Sequence, residues 1–458
     1  MIDVALMGQV LVWLLAIGIF MWSRQASVFH PAMVYLAFHG LVFVLRPILV
    51  YYFGFNSSWE YMGFKPSEEV FIRTLEVSSL AMICLVGACL MMGRVKTQFT
   101  QLEPPSFTLP QKRALLATTL LLIPLIAYSI YATRNGVEGD RVNGIYIMTN
   151  STGYINEAQE FIMPLLVIWM LVTRFHWLNI FPALLYVAYR SWFGWSRWTI
   201  LLFFILVVMA YCWRNRRKWL PLWSILAAIP IILLFNVIGH NRDLVKSWIT
   251  GEDAQVTHFH AGMTLKDKLK VQFDGPDFAN FDFLSYIIWD VPFKTETYSF
   301  GSQYVQLFTE PIPRILWKGK PVGSPVRSIN MFEYANFVGL TVSLAGDGWI
   351  SGGWVGVILE LTLVGGLLGQ AHRKFWMNSD NATGCILYLI LVAIIPQWYR
   401  DGGISIAKFM LFNFTPVFIW MGMTWMMAGS FLPGHTVQLP AGTRIRVIQP
   451  GARQESIQ

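Results

Sequence analysis

Charge is what this chain has least of: 13% of its 458 residues are Asp, Glu, Lys or Arg, while 55% are hydrophobic. A soluble domain carries about 25% charged residues, so a single soluble globule is excluded. Cysteine is scarce as well. Cys84, Cys89, Cys212 and Cys385 all lie within or at the ends of apolar runs, which leaves no disulfide to staple the hydrophilic loops. The opening Met1-Ile2-Asp3 lacks the basic stretch of a secretory leader, and no small-residue cleavage pattern follows, so the first apolar run is expected to stay as a helix. A phosphate-binding Gly-rich loop with its lysine, a nucleophile elbow and a zinc motif are also missing, which argues against nucleotide-driven chemistry. His258-Phe-His260 has no obvious third ligand, so no metal and no cofactor are expected. Neither an internal repeat nor the inverted symmetry of many transporters is visible.

What the chain does have is long apolar runs. A spanning helix needs roughly 20 apolar residues, because every backbone polar group must be satisfied internally where there is no water. That ruler gives about eleven spans, near 4–22, 31–53, 70–92, 113–132, 157–173, 177–190, 197–213, 219–238, 343–371, 382–398 and 404–428. The expected fold class is all-α, a polytopic membrane protein. Residues 1–238 hold the first eight helices, 239–342 form a large outer loop with short membrane-surface helices, 343–428 hold the last three helices and 429–458 a cytoplasmic tail.

Orientation follows from the short loops, since translocation disfavours lysine and arginine. Arg94, Lys96, Lys112 and Arg113, then Arg214 to Lys218, then Arg373 and Lys374 all fall on one side if the spans alternate, and that side is the cytoplasm. The loop 54–69, richer in glutamate, falls on the other. The net charge of +8 then sits largely beside anionic lipid headgroups, and no nucleic-acid partner is needed to explain it.

The outer loops carry the residues that chemistry could use. "NFDFLSYIIWDV" (280–291) sets Phe281, Leu284, Ile288 and Val291 at helical spacing, suiting a short helix on the membrane face or one that packs the loop. The glycines and asparagines of 133–156 mark turns rather than regular structure. Outer cations include Arg134, Arg141, Arg190, Arg197, Arg242, Arg314, Lys318, Lys320, Arg327 and Arg400. Arginine is costly in exported loops, so its retention points to an anionic partner whose oxygens match the guanidinium fork. Carboxylates such as Glu157 and Asp401, or lipid headgroups, account for some of these cations. Acid or base candidates are Asp282, Asp290, Glu296, Glu310, Asp347 and His240. Inside the helices, Arg46 and Glu76 share a depth and are expected to pair.

Four stretches resemble the Wzy-type O-antigen and exopolysaccharide polymerases, also called oligosaccharide repeat unit polymerases. They are "GWSRWTILL" (194–202), "FGSQYVQLFTEPIPRILWKGKP" (300–321), "AGDGWISGGWVGVILE" (345–360) and "YRDG" (399–402). Their order and topological positions follow that family. The sequence departs at Asp347, where glutamate is common in the family, and at Ile350 to Gly353, where Asn-Phe-Gly is usual. The resemblance implies a multi-pass glycosyltransferase of the bacterial cytoplasmic membrane, active on its periplasmic or outer face. It would move a growing glycan from polyprenyl pyrophosphate to a hydroxyl of a lipid-linked oligosaccharide repeat unit, without a nucleotide sugar. A membrane lipid environment and a chain-length regulator protein are the partners implied. Pyrophosphate or glycan contacts would be Arg141, Arg197, Arg242, Arg314, Lys320 and Arg400, with Asp347, Asp290 or His240 as general base. The alternatives are an O-antigen ligase type of transfer to another acceptor, and a transporter or flippase for lipid-linked saccharides.

Overall fold

The computed structural model describes residues 1–95, 104–134, 139–142, 145–148, 156–193, 197–224, 226–227, 270, 274, 278–309, 312, 316–317, 342–379 and 381–429, and at some of these, Arg141 and Arg197 among them, the backbone alone. They form a helical, multi-pass membrane protein in which seven helices are long and apolar enough to cross a membrane. In chain order the elements are α1 (Ile2–Trp22), α2 (Pro31–His39), a π-helical turn (Gly40–Leu45), α3 (Arg46–Phe53), α4 (Ser57–Met62), α5 (Glu68–Met92) and α6 (Leu109–Arg134). There follow α7 (Ile162–Val172), α8 (Ile180–Phe193), α9 (Arg197–Arg214), α10 (Asn280–Asp290), α11 (Ser343–Met377), α12 (Ala382–Asp401) and α13 (Gly403–Gly429). The seven are α1, the continuous α2 to α3 unit, α5, α6, α11, α12 and α13.

Local chemistry sets these boundaries. Ser67 caps α5 by accepting from the Val70 amide, and Glu68 and Glu69 sit in its first turn where the helix dipole favours acids. Pro47 has no N–H, and its ring would press on the Phe43 carbonyl; the π-helical turn just before it widens the helix and relieves that clash. α12 is the most buried of the seven spans, while α1 turns Leu11, Leu14, Leu15 and Ile19 outward, as a lipid-facing helix does. α5 lies along α11, where Gly365 and Gly369 sit so close to the backbone of Leu85 and Cys89 that a Cβ at either would collide.

Three local features correct or refine the sequence-based expectations. The segment 133–156 is not all turn: β1 (Gly139–Val142) pairs antiparallel with β2 (Ile145–Met148), Val142 opposite Ile145. Asn-Gly, the pair at 143–144, is the strongest short hairpin signal between β-branched flanks. Of the two roles left open for α10, its burial fits the packing one. Every residue from Asn280 to Ile288 is buried, its polar face included, because that face meets other protein rather than water. Finally α11 is broken. Gly353 has φ 59° and ψ −136°, a conformation closed to residues with a Cβ. Residues eight or nine apart in an unbroken helix stand about 13 Å apart along the axis. Here a Cβ on Gly348 would come within 2.9 Å of Val357 Cα, so the arm before the break folds back on the arm after it.

The ends of the bundle differ in charge. Arg94, Lys112, Arg113, Arg216, Arg217, Arg373 and Lys374 are exposed at one end, and α4 and α10 lie at the other. Backbone and ring contacts tie the basic end together: Val28 donates to the Lys218 carbonyl, and the rings of His30 and His372 lie 4.3 Å apart.

Candidate functional site

The break in α11 creates the most chemically loaded corner among the described residues. Its first arm carries Asp347, 1% exposed. One carboxylate oxygen, Oδ2, accepts the Gly403 amide at 2.5 Å, occupying an N–H that the first turn of α13 would otherwise leave unpaired. The other, Oδ1, is buried without a hydrogen-bond partner among the described residues. Gly402 between the two helices has φ 88°, and a Cβ there would run into the Asp347 carboxylate. Carboxylate and chain reversal therefore fit only with glycine at 402.

Folding the arms together also brings Glu360 to this corner, close enough to feel the Asp347 charge. The segment before α11 closes it from a third side. Ser299 donates its amide to the Ile350 carbonyl at 2.9 Å, Gln303 Nε2 donates to Ser351 Oγ at 2.7 Å, and the Tyr304 hydroxyl donates to Glu360 Oε1. Burial, together with the Asp347 and Glu360 carboxyls, pushes the Tyr304 hydroxyl well above its ordinary range, so it stays a proton donor.

Arg400 stands at the end of α12, three residues before Gly403. Its guanidinium lies 4.9 Å from the centre of the Trp198 ring at the start of α9, and Nη1 is 3.5 Å from Asp401 Oδ1. Its carbonyl accepts from Asn280 Nδ2 at 2.9 Å, fixing the first turn of α10 against the corner. Asp290 ends that same helix. It is fully buried, neither carboxylate oxygen has a hydrogen-bond partner among the described residues, and burial pushes its carboxyl up to about 7 against the pull of Lys294. Trp349, on the arm that carries Asp347, donates to the carbonyl of Val291 next door at 2.9 Å, so Asp290 and Asp347 sit on touching segments. A carboxyl poised near neutrality is suited to taking or giving a proton.

A second charge cluster lies near the other face of α10 and has a different character. Arg46, 0% exposed, gives Nε and Nη2 to Asp282 at 3.2 and 2.5 Å and Nη2 to Asp274 Oδ1 at 3.2 Å. Ser57 N–H completes Asp274, and Trp59 Nε1 takes the Asp282 carbonyl. The expected Arg46 to Glu76 pair does not form. Glu76 faces outward on α5, and Asp282 is consumed by Arg46, which removes it from the acid and base candidates.

Of the other cations, Arg190 is taken up by Glu160 at 2.7 Å, both side chains under a tenth exposed, and Lys408 pairs with Glu157 at 2.8 Å. Arg141 stands opposite Tyr146 in the hairpin and Arg197 opens α9; only their backbones are described. His240, Arg242, Arg314, Lys320 and the His258 to His260 pair lie outside the described residues, while Trp317 is 37% exposed. The structure thus sets Asp347 against the α12 to α13 junction that follows Arg400, and places Asp290 on a segment that touches the arm carrying Asp347. It adds Tyr304, Glu360, Gln303 and Trp198, which sequence reasoning did not assign. Tyr304 and Glu360 lie within two of the quoted stretches, but only the break in α11 makes them neighbours. No family model matches the sequence, and no curated protein or solved structure matches the chain.

Proposed function

We propose that this chain is a membrane polysaccharide polymerase, transferring a growing glycan from polyprenyl pyrophosphate to a hydroxyl of a lipid-linked oligosaccharide repeat unit. One observation carries the reading: parts of all four stretches that resemble the family meet at one corner. Trp198 comes from the first, Gln303 and Tyr304 from the second, Asp347 and Glu360 from the third, Arg400 from the fourth. The reading counts the seven long apolar helices, the shorter α7, α8 and α9 and residues 219–238 as eleven spans, and takes the α10 end as the periplasmic face of a bacterial cytoplasmic membrane. The exposed lysines and arginines at the opposite end support that orientation.

In the transfer, the acceptor hydroxyl oxygen bonds to the anomeric carbon as the bond from that carbon to the pyrophosphate oxygen breaks. The hydroxyl proton passes to a general base, for which Asp347, Asp290 and His240 are the candidates, and polyprenyl pyrophosphate leaves as the anion; Asp347 Oδ1 and both Asp290 oxygens have no partner among the described residues. Arg400, held by Trp198 and by Asn280, meets the charge growing on the leaving group; Arg141, Arg197, Arg242, Arg314 and Lys320 are the further cations assigned to it. Neither a nucleotide sugar nor a cofactor enters the step.

Purified protein in liposomes, given polyprenyl-pyrophosphate oligosaccharide, is expected to yield longer glycans together with free carrier pyrophosphate. Carrier release with transfer only to a different acceptor would mark a ligase. The transporter reading has one observation in its favour, since a broken helix carrying a buried Asp347 and a half-buried Glu360 is how many transporters build a substrate site. Saccharide crossing the liposome membrane without elongation would establish it instead.

A further inference from the structure

A cleft of about 620 Å³ opens at the α10 end, between the end of α3, α4, the connection to α5 and the first turn of α5. That volume falls within the range of small-ligand sites, and none of its lining belongs to the corner described above. Its floor and wall are aromatic: Trp59, Phe64 and Phe71 are buried, and Tyr51 is partly open. Its rim is polar, with Asn56, Glu60 and Lys65, and the exposed Glu60 and Lys65 have no ion-pair partner among the described residues.

The combination selects the occupant. An interfacial aromatic belt presents its rings outward, as the neighbouring Tyr52 and Phe53 do, and does not wall a concavity. An acyl chain would leave the amide, carboxylate and ammonium of the rim unmatched, and an anion would meet Glu60 and Glu68 as well as Lys65. A sugar matches both chemistries. Its C–H faces lie against aromatic rings, and its hydroxyls donate to carboxylates and accept from amide and ammonium groups.

The cleft is also wired to the corner. Trp59 Nε1 donates to the Asp282 carbonyl at 3.2 Å, and two residues earlier Asn280 holds the Arg400 carbonyl. Cleft wall and Arg400 are therefore joined across the first turn of α10. We infer that this cleft is a subsite for the sugar portion of the lipid-linked oligosaccharide. The inference rests on the function proposed above and assigns the outer rim of α3 to α5 a part in it.

The test uses full-length protein in detergent and, as probe, lipid-free oligosaccharide released by mild acid from the producing cell's lipid-linked repeat units. Saturation-transfer NMR should show transfer to sugar protons, with affinity about tenfold weaker in Tyr51→Ala and in Glu60→Ala. Both side chains are exposed enough that the variants keep the wild-type thermal midpoint. Transfer undiminished in both variants, or absent from the wild type, overturns the subsite, as does label confined to detergent or phospholipid chains. If the wild type binds the sugar in this cleft yet elongates no lipid-linked glycan, the polymerase reading falls and the subsite stands. If both variants elongate with an unchanged KM for the acceptor, the subsite falls and the polymerase stands.

Discussion

Two buried charge centres flank α10, one on Arg46 and one on Asp347, and they are satisfied to different degrees. Around Arg46 the guanidinium faces two carboxylates; the Asp274 carboxylate takes a further donor from the Ser57 amide, and Trp59 holds the main-chain carbonyl of Asp282. Around Asp347 one oxygen caps α13 and the other is left without a partner among the described residues, beside a second carboxyl and near an arginine seated on an aromatic ring. Both sites bear the cost of burying charge. A closed cluster uses that cost to tie α3 to α4 and α10; an open one keeps bonding capacity free for something that is not protein. The difference separates charges that are fully matched within the fold from one with bonding capacity to spare.

The comparison can be broken most forcefully at Arg46. Arg46→Ala leaves Asp282 and Asp274 buried without their cation and should cost about 3 to 5 kcal/mol, read as loss of monodisperse protein on heating in detergent. Arg400→Ala should do the reverse, leaving the thermal midpoint near wild type while slowing glycan elongation roughly 10²- to 10³-fold, the scale of losing one preorganised donor. Gly402→Ala forces a Cβ into the Asp347 carboxylate at φ 88° and should cost about 1 to 3 kcal/mol, measured by thermal unfolding. The fourth effect, at Asp290, depends on pH. Its carboxyl is raised from 3.8 to about 7, so the folded protein keeps a proton that the unfolded chain has released. That contribution is fully present below about pH 3.8 and is lost as pH rises through about 7. Thermal midpoints of the wild type should therefore fall between about pH 5 and pH 8 relative to those of Asp290→Asn, in which this titration is absent.

Seven of the eleven expected spans return as helices long and apolar enough to cross a membrane, and they were legible because the bilayer imposes a length and an apolar run that no tertiary contact needs to supply. Within each helix, partners were not. Arg46 and Glu76 share a depth, yet the preferred acid lies in a distant segment, Asp282, which sequence spacing cannot connect to α3. The polar residues of α10 are buried because Asp282 meets Arg46 and Asn280 meets the main-chain carbonyl of residue 400, partners that sequence spacing does not reveal. Asp347 was visible as a candidate from the glycines around it. That Gly352 and Gly353 break α11, and so carry Glu360 and Tyr304 to its side, follows from backbone geometry that a run of small apolar residues conceals.

The separation between closed and open charge is tested most directly by Asp347→Asn. The amide oxygen of asparagine still accepts the Gly403 N–H, so the cap on α13 survives while the proton-accepting carboxylate is gone. Elongation of lipid-linked oligosaccharide should fall by about 100-fold or more with the thermal midpoint unchanged. Elongation at the wild-type rate in a stably folded Asp347→Asn protein would contradict this account and reduce Asp347 to a helix cap.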